Sequence, residues 1–211
     1  LYNVGYTYDN MSRLATATFA NQSATYSRVS GSNRLNTTVF KNGTTAIHTA
    51  TRSYDNFNRL LGVNGYTYNY NDKDERTKQT LADGNYWNYE YDTFGQVTSG
   101  IKKTSAGTQV TGQNYAYSYD TIGNRKTATA NSAVTNYTAN EVNQYTAIGS
   151  VIPTYDTDGN MLTGYNGWTM EWNGENRLKT IYNATTKLEF AYDYMGRRFS
   201  KKVYTKSGTS W

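Results

Sequence analysis

The chain has no cysteine, a single histidine and a single proline in 211 residues. Without cysteine there are no disulfide staples, thiol nucleophiles or thiolate metal sites. The lone histidine, His48 in T45-A-I-H-T-A50, has no second imidazole for a metal, and Ser23 or Ser27 nearby in sequence does not make a triad, so it reads as a strand-surface residue. No apolar run is long enough to cross a bilayer as a helix, so no membrane insertion is expected. The opening LYNVGYTYDN has neither a basic start nor an apolar stretch with a small-residue cleavage site, which would put any export signal outside these residues. Charged residues make up only 18 %, and long helices rich in Ala, Leu, Glu and Lys are hard to place anywhere.

What the chain has instead is tyrosine (22), threonine (33) and asparagine (24). Tyrosine and threonine suit pleated strands, and asparagine and glycine suit the turns between them. The rings supply area to pack while each keeps a hydroxyl within reach of a partner. Fold class is therefore all-β. The formal charge of +5 is spread along the chain, densest at Arg197–Arg198 and Lys201–Lys202, which reads as a solvated surface and gives no nucleic-acid partner.

Aligning every Tyr-Asp yields a series of four-residue units beginning at 9, 30, 55, 71, 92, 120, 140, 156, 173 and 193. The first member is Asp or Asn in nine of the ten, and the fourth is Gly, Asn, Asp or Ser. An acid or amide that accepts from an amide two or three residues on, followed by a residue that tolerates positive φ, is the chemistry of a tight turn with a bulge. Between these units fall Asn21-Gln22, Asn42-Gly43, Asn64-Gly65, Asp83-Gly84, Ala106-Gly107, Asn131-Ser132, Gly149-Ser150, Asn166-Gly167 and Asn183-Ala184, a second family read as two-residue hairpin turns. Two alternating families predict roughly twenty short antiparallel strands. Within them Tyr115, Tyr117 and Tyr119, or Tyr66, Tyr68 and Tyr70, share one face of the pleat. A flat sheet of that size would be unusual, so the strands are expected to coil or close, with stability shared between neighbouring units.

The copies Y6-T-Y8-D9-N-M-S-R13-L14, Y54-D55-N-F-N-R59-L60, Y89-E-Y91-D92-T-F-G95, Y117-S-Y119-D120-T-I-G123-N124, Y155-D156-T-D-G159-N160 and Y192-D193-Y-M-G196-R197 resemble the Rhs/YD-repeat family over nearly the whole chain. E171-W172-N173-G-E-N176-R177-L178 and N140-E-V-N143-Q144-Y145 resemble variant copies. Relatives of that kind include shells of Rhs and Tc-type toxins, wall-associated proteins and the extracellular part of teneurins. The resemblance implies a long antiparallel β-meander of YD-repeat hairpins curled into a spiral or partly closed shell, able to enclose a C-terminal polypeptide. It does not carry over self-cleavage, because Pro153 is the only proline and no Asp-Pro element exists.

Several residues invite a chemical reading. Asp9, Asp55, Asp92, Asp120, Asp156 and Asp193 are acids, but a catalytic pair need occur once, whereas a turn residue recurs with every turn. D72-K-D74-E75 clusters acids without the spaced wording of a calcium loop and has Lys73 and Arg76 to offset its charge, while D156-T-D158-G-N160 looks more like part of a calcium loop but sits in repeat register. Arg13, Arg34, Arg59, Arg125, Arg177 and Arg197 follow the turns, where a guanidinium can fork onto the preceding carboxylate or cover a tyrosine ring. Trp172 replaces the pre-turn tyrosine, and with Trp168, Trp87 and Trp211 it reads as packing before it reads as a sugar platform. Six Asn-x-Ser/Thr triplets, at Asn10, Asn21, Asn36, Asn42, Asn136 and Asn183, are what this composition gives by chance.

The sequence therefore assigns no catalytic, cofactor-binding or metal-ligating residue, expects no cofactor, and reads the chain as a non-enzyme. Residues 1–211 are expected to be one YD-repeat array excised from a longer shell, secreted or at a cell surface. Its function would be to enclose, display or anchor another polypeptide, or alternatively to bind carbohydrate or a cell surface. Its partners would be flanking repeats of the same parent chain and either an enclosed C-terminal polypeptide or a cell-surface glycan.

Overall fold

The computed structural model describes residues 3–165 and 167–211, with Tyr165 described by its backbone alone. The described residues form antiparallel strands and turns without a helix, as the composition requires. The chain divides into two compact units, residues 1–115 and 116–211.

The first unit holds β1 (Val4–Tyr8), β2 (Leu14–Phe19), β3 (Gln22–Arg28), β4 (Leu35–Asn42), β5 (Thr45–Tyr54), β6 (Leu60–Val63), β7 (Tyr66–Tyr70), β8 (Arg76–Thr80), β9 (Tyr86–Tyr91) and β10 (Val97–Lys103). Strand β11 (Gln109–Tyr119) runs across the division. The second unit continues with β12 (Arg125–Ala130), β13 (Ala133–Ala139) and β14 (Tyr145–Ile148). A separate sheet of this unit holds β15 (Thr154–Tyr155), β16 (Met161–Tyr165), β17 (Trp168–Trp172), β18 (Leu178–Tyr182), β19 (Thr186–Tyr192) and β20 (Arg198–Thr205). Strand order follows chain order within each sheet, so the topology is a meander, and the twenty strands of the described residues are the number that nineteen turn signals predict.

Each YD unit closes in one way. The amide of its fourth residue donates to the carbonyl of its first, and the amide of the first donates to the carbonyl of the fifth, as in Asn58→Asp55 (3.1 Å) and Asp55→Arg59 (3.0 Å). The fourth residue has positive φ, from 57° at Asn176 to 94° at Gly123. This is a three-residue hairpin loop with a bulge, and the strand register slips by one at the pre-turn residue, for instance between Ser53 and Tyr54 and between Ala191 and Tyr192.

Several turn assignments need correction. Asp83-Gly84 and Ala106-Gly107 are not two-residue hairpins: the turns start at Leu81 and Thr104 and carry the same bonds as the YD units, with Gly84 and Gly107 at the left-handed position. Glycine at the fourth place suffices for that geometry even without an acid at the first. The unit placed at Ser30 begins at Val29 and is one residue longer, closed by Ser32→Val29 and Val29→Arg34, with positive φ at Gly31 rather than Asn33. Among the two-residue turns, Asn64-Gly65 stands as expected, with positive φ at both residues. The first two are shifted by one, to Ala20-Asn21 and Gly43-Thr44, because their strands pair through Phe19–Gln22 and Asn42–Thr45. The Asn166-Gly167 turn includes residue 166, outside the described residues.

No conventional core exists among the described residues. The buried residues are Ala24, Ala50, Thr38 and Thr180 together with Gly62, Gly100 and Pro153, and no large side chain is fully buried. The exposed area is 14244 Å², against about 9,900 Å² for a folded monomer of this mass. Cohesion must come from neighbour to neighbour.

Candidate functional site

The recurring feature is the YD turn and its contact with the next one. In all nine units that begin with Asp or Asn, Oδ1 of that residue accepts from the amides of the third and fifth residues. The spacing is two and four residues, not two or three, because the fourth amide is already taken by the turn's own carbonyl.

The fifth residue then answers the first. At Asp9, Asp55 and Asp193 Oδ2 accepts from Arg13, Arg59 or Arg197 Nε, and at Asp120 and Asp156 from Asn124 or Asn160 Nδ2. Where the first is Asn, its Nδ2 donates to Glu75 or Gln144. The arginines therefore do not fork onto the carboxylate with both ends, since Oδ1 is occupied by main chain and the Nη atoms are left for the next turn.

These contacts hold the carboxyls of Asp9, Asp55, Asp120, Asp156 and Asp193 below their usual range. At Asp9 and Asp193 the amide of the fifth residue is the main cause and outweighs desolvation; at Asp156 it is Asn160 Nδ2. At Asp55 and Asp120 desolvation is the largest single influence and pushes upward, but the side chain of Arg59 or Asn124 together with the turn amides outweighs it. The first-position acids are turn braces in contact with main-chain amides, and this holds also for Asp92, which lines a groove of about 580 Å³ with Asp72, Glu75 and Glu90 in the first unit.

Consecutive copies are joined in two ways. First, the pre-turn side chain donates to the carbonyl of the residue after the preceding copy's basic position: Tyr54→Leu35 (2.9 Å), Tyr70→Leu60 (2.9 Å), Tyr91→Arg76 (2.7 Å), Tyr155→Tyr145 (3.0 Å) and Tyr192→Leu178 (2.9 Å). Trp172 Nε1 does the same to Met161 (2.8 Å), and Arg28 Nη2 to Leu14 (3.2 Å), so a different donor at the same place makes the same joint. Sequence reasoning missed this joint, because a main-chain acceptor leaves no mark on residue identity.

Second, the fifth residue reaches the next turn. Arg13 Nη1 donates to Ser32 O, Arg59 Nη1 to Asn71 O and to Asp74 Oδ1, Arg177 Nη1 to Asp193 O, Asn124 to Asn143 and Asn160 to Asn176.

The remaining candidates fall to the same bracing. Basic groups lie over rings at Arg34–Tyr54 (5.1 Å), Arg59–Tyr70 (5.0 Å), Arg76–Tyr68 (4.2 Å), Lys78–Tyr86 (3.9 Å) and Arg125–Tyr117 (4.8 Å), so the cations are spent on the sheet. Asp74 is exposed and pairs with Arg59 of the preceding copy, and Asp156 Oδ1 takes the Asp158 and Asn160 amides. No cluster of three or more metal-ligating side chains occurs among the described residues. His48 is exposed, 3.1 Å from Asn64 Nδ2 and tilted against Phe40. In the second unit a groove of about 750 Å³ lies between the turns at 140 and 156, but its rings are engaged: Tyr155 donates to Tyr145 O, and the Tyr145 hydroxyl accepts from the Arg125 amide. In the first unit Trp87 stacks between Tyr89 (6.4 Å) and Tyr115 (6.0 Å).

No family model matches the chain. A tRNA nuclease WapA of Bacillus subtilis (strain 168) is 31% identical over 120 residues, 54% of this chain and 5% of the nuclease. A tRNA3(Ser)-specific nuclease WapA of Bacillus spizizenii is 31% identical over 117 residues, 52% of this chain and 5% of its own length. The chain thus corresponds to 5% of the length of either curated relative. Among solved structures, the Photorhabdus luminescens Tc holotoxin pore matches 95% of this chain and 13% of its own, with TM-score 0.60 and 17% identity. The two share a fold: the meander described above is also built into that toxin.

Proposed function

We propose that the chain is a structural wall segment of a larger secreted or surface-associated YD-repeat protein, and that it encloses, displays or anchors another polypeptide. The observation that carries this reading is the missing core. About 4,300 Å² more surface is open than a closed domain of this mass leaves, yet within each unit successive repeats are hydrogen-bonded to one another. Such a sheet is built to be one layer of something larger. The third residues of the turns point the same way: Met11, Phe57 and Phe94 in the first unit, and Ile122, Val142 and Met195 in the second, are exposed and apolar. The shared fold with a Tc toxin assembly supports a shell role, and the length of the matched nucleases supports a large parent.

The test is protease protection in the full-length parent. A polypeptide encoded downstream should resist digestion while this array is intact and become sensitive once the array is unfolded. Equal sensitivity in both states would reject enclosure.

A carbohydrate-binding reading rests on the Tyr89–Trp87–Tyr115 row, whose stacked rings offer a flat strip to a sugar. Glycan-array binding that is lost in Trp87→Ala and kept in Trp172→Phe would favour it. No binding to the array would reject it.

A further inference from the structure

The run of paired strands is interrupted once. Consecutive strands are bonded to each other except β14 and β15, where a 14-stranded sheet ends and a 6-stranded sheet begins. Both strands lie in the second unit, and the one proline of the chain, Pro153, stands at the interruption. The amides of Ile148 and Val151 each donate to the other's carbonyl, at 2.9 and 3.0 Å, which fixes the register between the two sides. Ala147 then falls opposite Ile152, and Thr146 opposite Pro153. Bonded and non-bonded pairs alternate along an antiparallel ladder, so Thr146 and Pro153 occupy the next place at which main-chain bonds are due. Pro153 has no N–H to give there, and the ladder stops. Across β18 and β19, by contrast, Tyr182–Lys187, Ile181–Leu188 and Thr180–Glu189 follow one another without a gap.

The residues on either side of the gap are anchored to different sheets. Val151 is held to β14 by its bonds to Ile148. Pro153 is buried against β16: a Cβ on Gly164, whose φ is 132°, would stand 2.8 Å from the Pro153 Cα, so glycine is what lets the proline lie there. Between these anchors stands Ile152, 76% exposed and confined by the following proline to extended backbone. At the other end of the gap, beside the groove of about 750 Å³, the Tyr155 hydroxyl donates to the Tyr145 carbonyl at 3.0 Å.

We propose that this gap is a hinged seam, at which β15–β20 swings as one body away from β12–β14 about Ile152, with the Tyr155 hydroxyl as its latch. Strands β15–β20 move together because each is bonded to the next. A single linking residue between two firmly held anchors is the form of a hinge. At the other joints the tyrosine bond supplements a ladder, as Tyr192 to Leu178 does across β18 and β19. At the seam the ladder is missing, so release of the tyrosine parts the sheets, and the second unit has its lowest opening cost along this line.

The absence of cysteine lets paired nitroxide labels report the opening. Val142→Cys with Asp158→Cys puts one label on each side of the seam, at the third residues of adjacent YD turns. Glu175→Cys with Met195→Cys repeats that arrangement across β18 and β19, and all four side chains are exposed. Adjacent YD turns are two strand spacings apart, roughly 10 Å, close enough for dipolar broadening of the spin spectrum. The 142–158 pair should show a fraction of molecules without broadening, and Tyr155→Phe should raise the ratio of open to closed molecules about fivefold, the effect of one net hydrogen bond. The 175–195 pair should stay broadened, also in Tyr192→Phe. Pro153→Thr, which returns the missing donor, should lower the open fraction at 142–158; if it does not fold, the comparison of Tyr155→Phe with Tyr192→Phe still decides. Equal broadening of the two pairs in every background, or equal loosening by the two tyrosine substitutions, overturns the seam. The inference is separate from enclosure, since the seam is read in the chain alone and protease protection in the full-length parent.

Discussion

Replacing the pre-turn tyrosines by phenylalanine isolates the joint between repeats. Tyr70→Phe keeps the ring under Arg59, 5.0 Å from its guanidinium, and removes only the 2.9 Å bond to the Leu60 carbonyl. Tyr54→Phe and Tyr192→Phe do the same to the Leu35 and Leu178 carbonyls. A net hydrogen bond contributes about 1 kcal/mol, and leaving a half-buried carbonyl short of a donor places these toward the upper part of that range. Each substitution should therefore cost about 1 kcal/mol, and a double Tyr54/Tyr70 variant about 2 kcal/mol, since the bonds have separate partners. In urea titration monitored by far-ultraviolet circular dichroism, the midpoint should fall in each variant without a change in slope, with melting lowered by roughly 2–4 °C per substitution. Tyr194→Phe is the control: its ring is almost fully exposed and no hydroxyl bond is made, so stability should not move. If Tyr54→Phe and Tyr70→Phe behave like Tyr194→Phe, the hydroxyl joint does not hold the repeats together, and cohesion must be assigned to strand pairing alone.

Three further outcomes follow from the turns. Asn173→Asp should raise stability, by up to about 1 kcal/mol in low salt, because Arg177 now lacks the first-position carboxylate that Arg13, Arg59 and Arg197 have and reaches Glu175 instead; loss of the gain at high salt would be the check. Gly196→Ala should destabilise by more than the roughly 1–2 kcal/mol of a left-handed alanine, since φ is 78° and the added Cβ would stand 2.7 Å from Arg177 Nη2; an unchanged melting point would contradict the geometry. Asp9, Asp55, Asp120, Asp156 and Asp193 have folded pKa values below the unfolded value, so their contribution is complete above about pH 4 and is lost as pH falls through the lowered values. Stability should therefore drop on the acid side of pH 4, and Asp120→Asn with Asp156→Asn should flatten that drop as followed by melting across pH.

The all-β meander, the strand number and the YD turns were legible because each rests on local chemistry: an acid or amide at the first place, and a residue tolerant of positive φ at the fourth. What misled was that same locality. Asp83-Gly84 carries a strong two-residue hairpin signal, yet Leu81 and Thr104 open three-residue loops, since strand register and not the dipeptide sets where the loop closes. Ser30 aligns with the first members, although the turn starts at Val29 and Ser32 supplies the oxygen that Arg34 contacts. The inter-repeat joints stayed hidden for a different reason. Leu35, Leu60 and Leu178 act through their carbonyls, and any residue has one.

The variation within the repeat becomes intelligible once two copies are considered together. The fourth residue faces the fifth residue of the preceding copy. Where it is glycine, that side chain passes across the place a Cβ would take: Glu75 Oε1 at 3.0 Å from Gly95, Gln144 Nε2 at 3.3 Å from Gly159, and Arg177 Nη2 at 2.7 Å from Gly196. Where it is Asp or Asn, the same neighbour is bonded instead, as in Arg59–Asp74, Asn124–Asn143 and Asn160–Asn176. Glycine yields space and the polar residue supplies a partner, and both accept the left-handed backbone that the loop demands. The fifth residue is thus chosen by two turns at once, its own first residue and the next copy's fourth. A fold with almost no buried core gains its specificity from that double constraint, repeated along the chain.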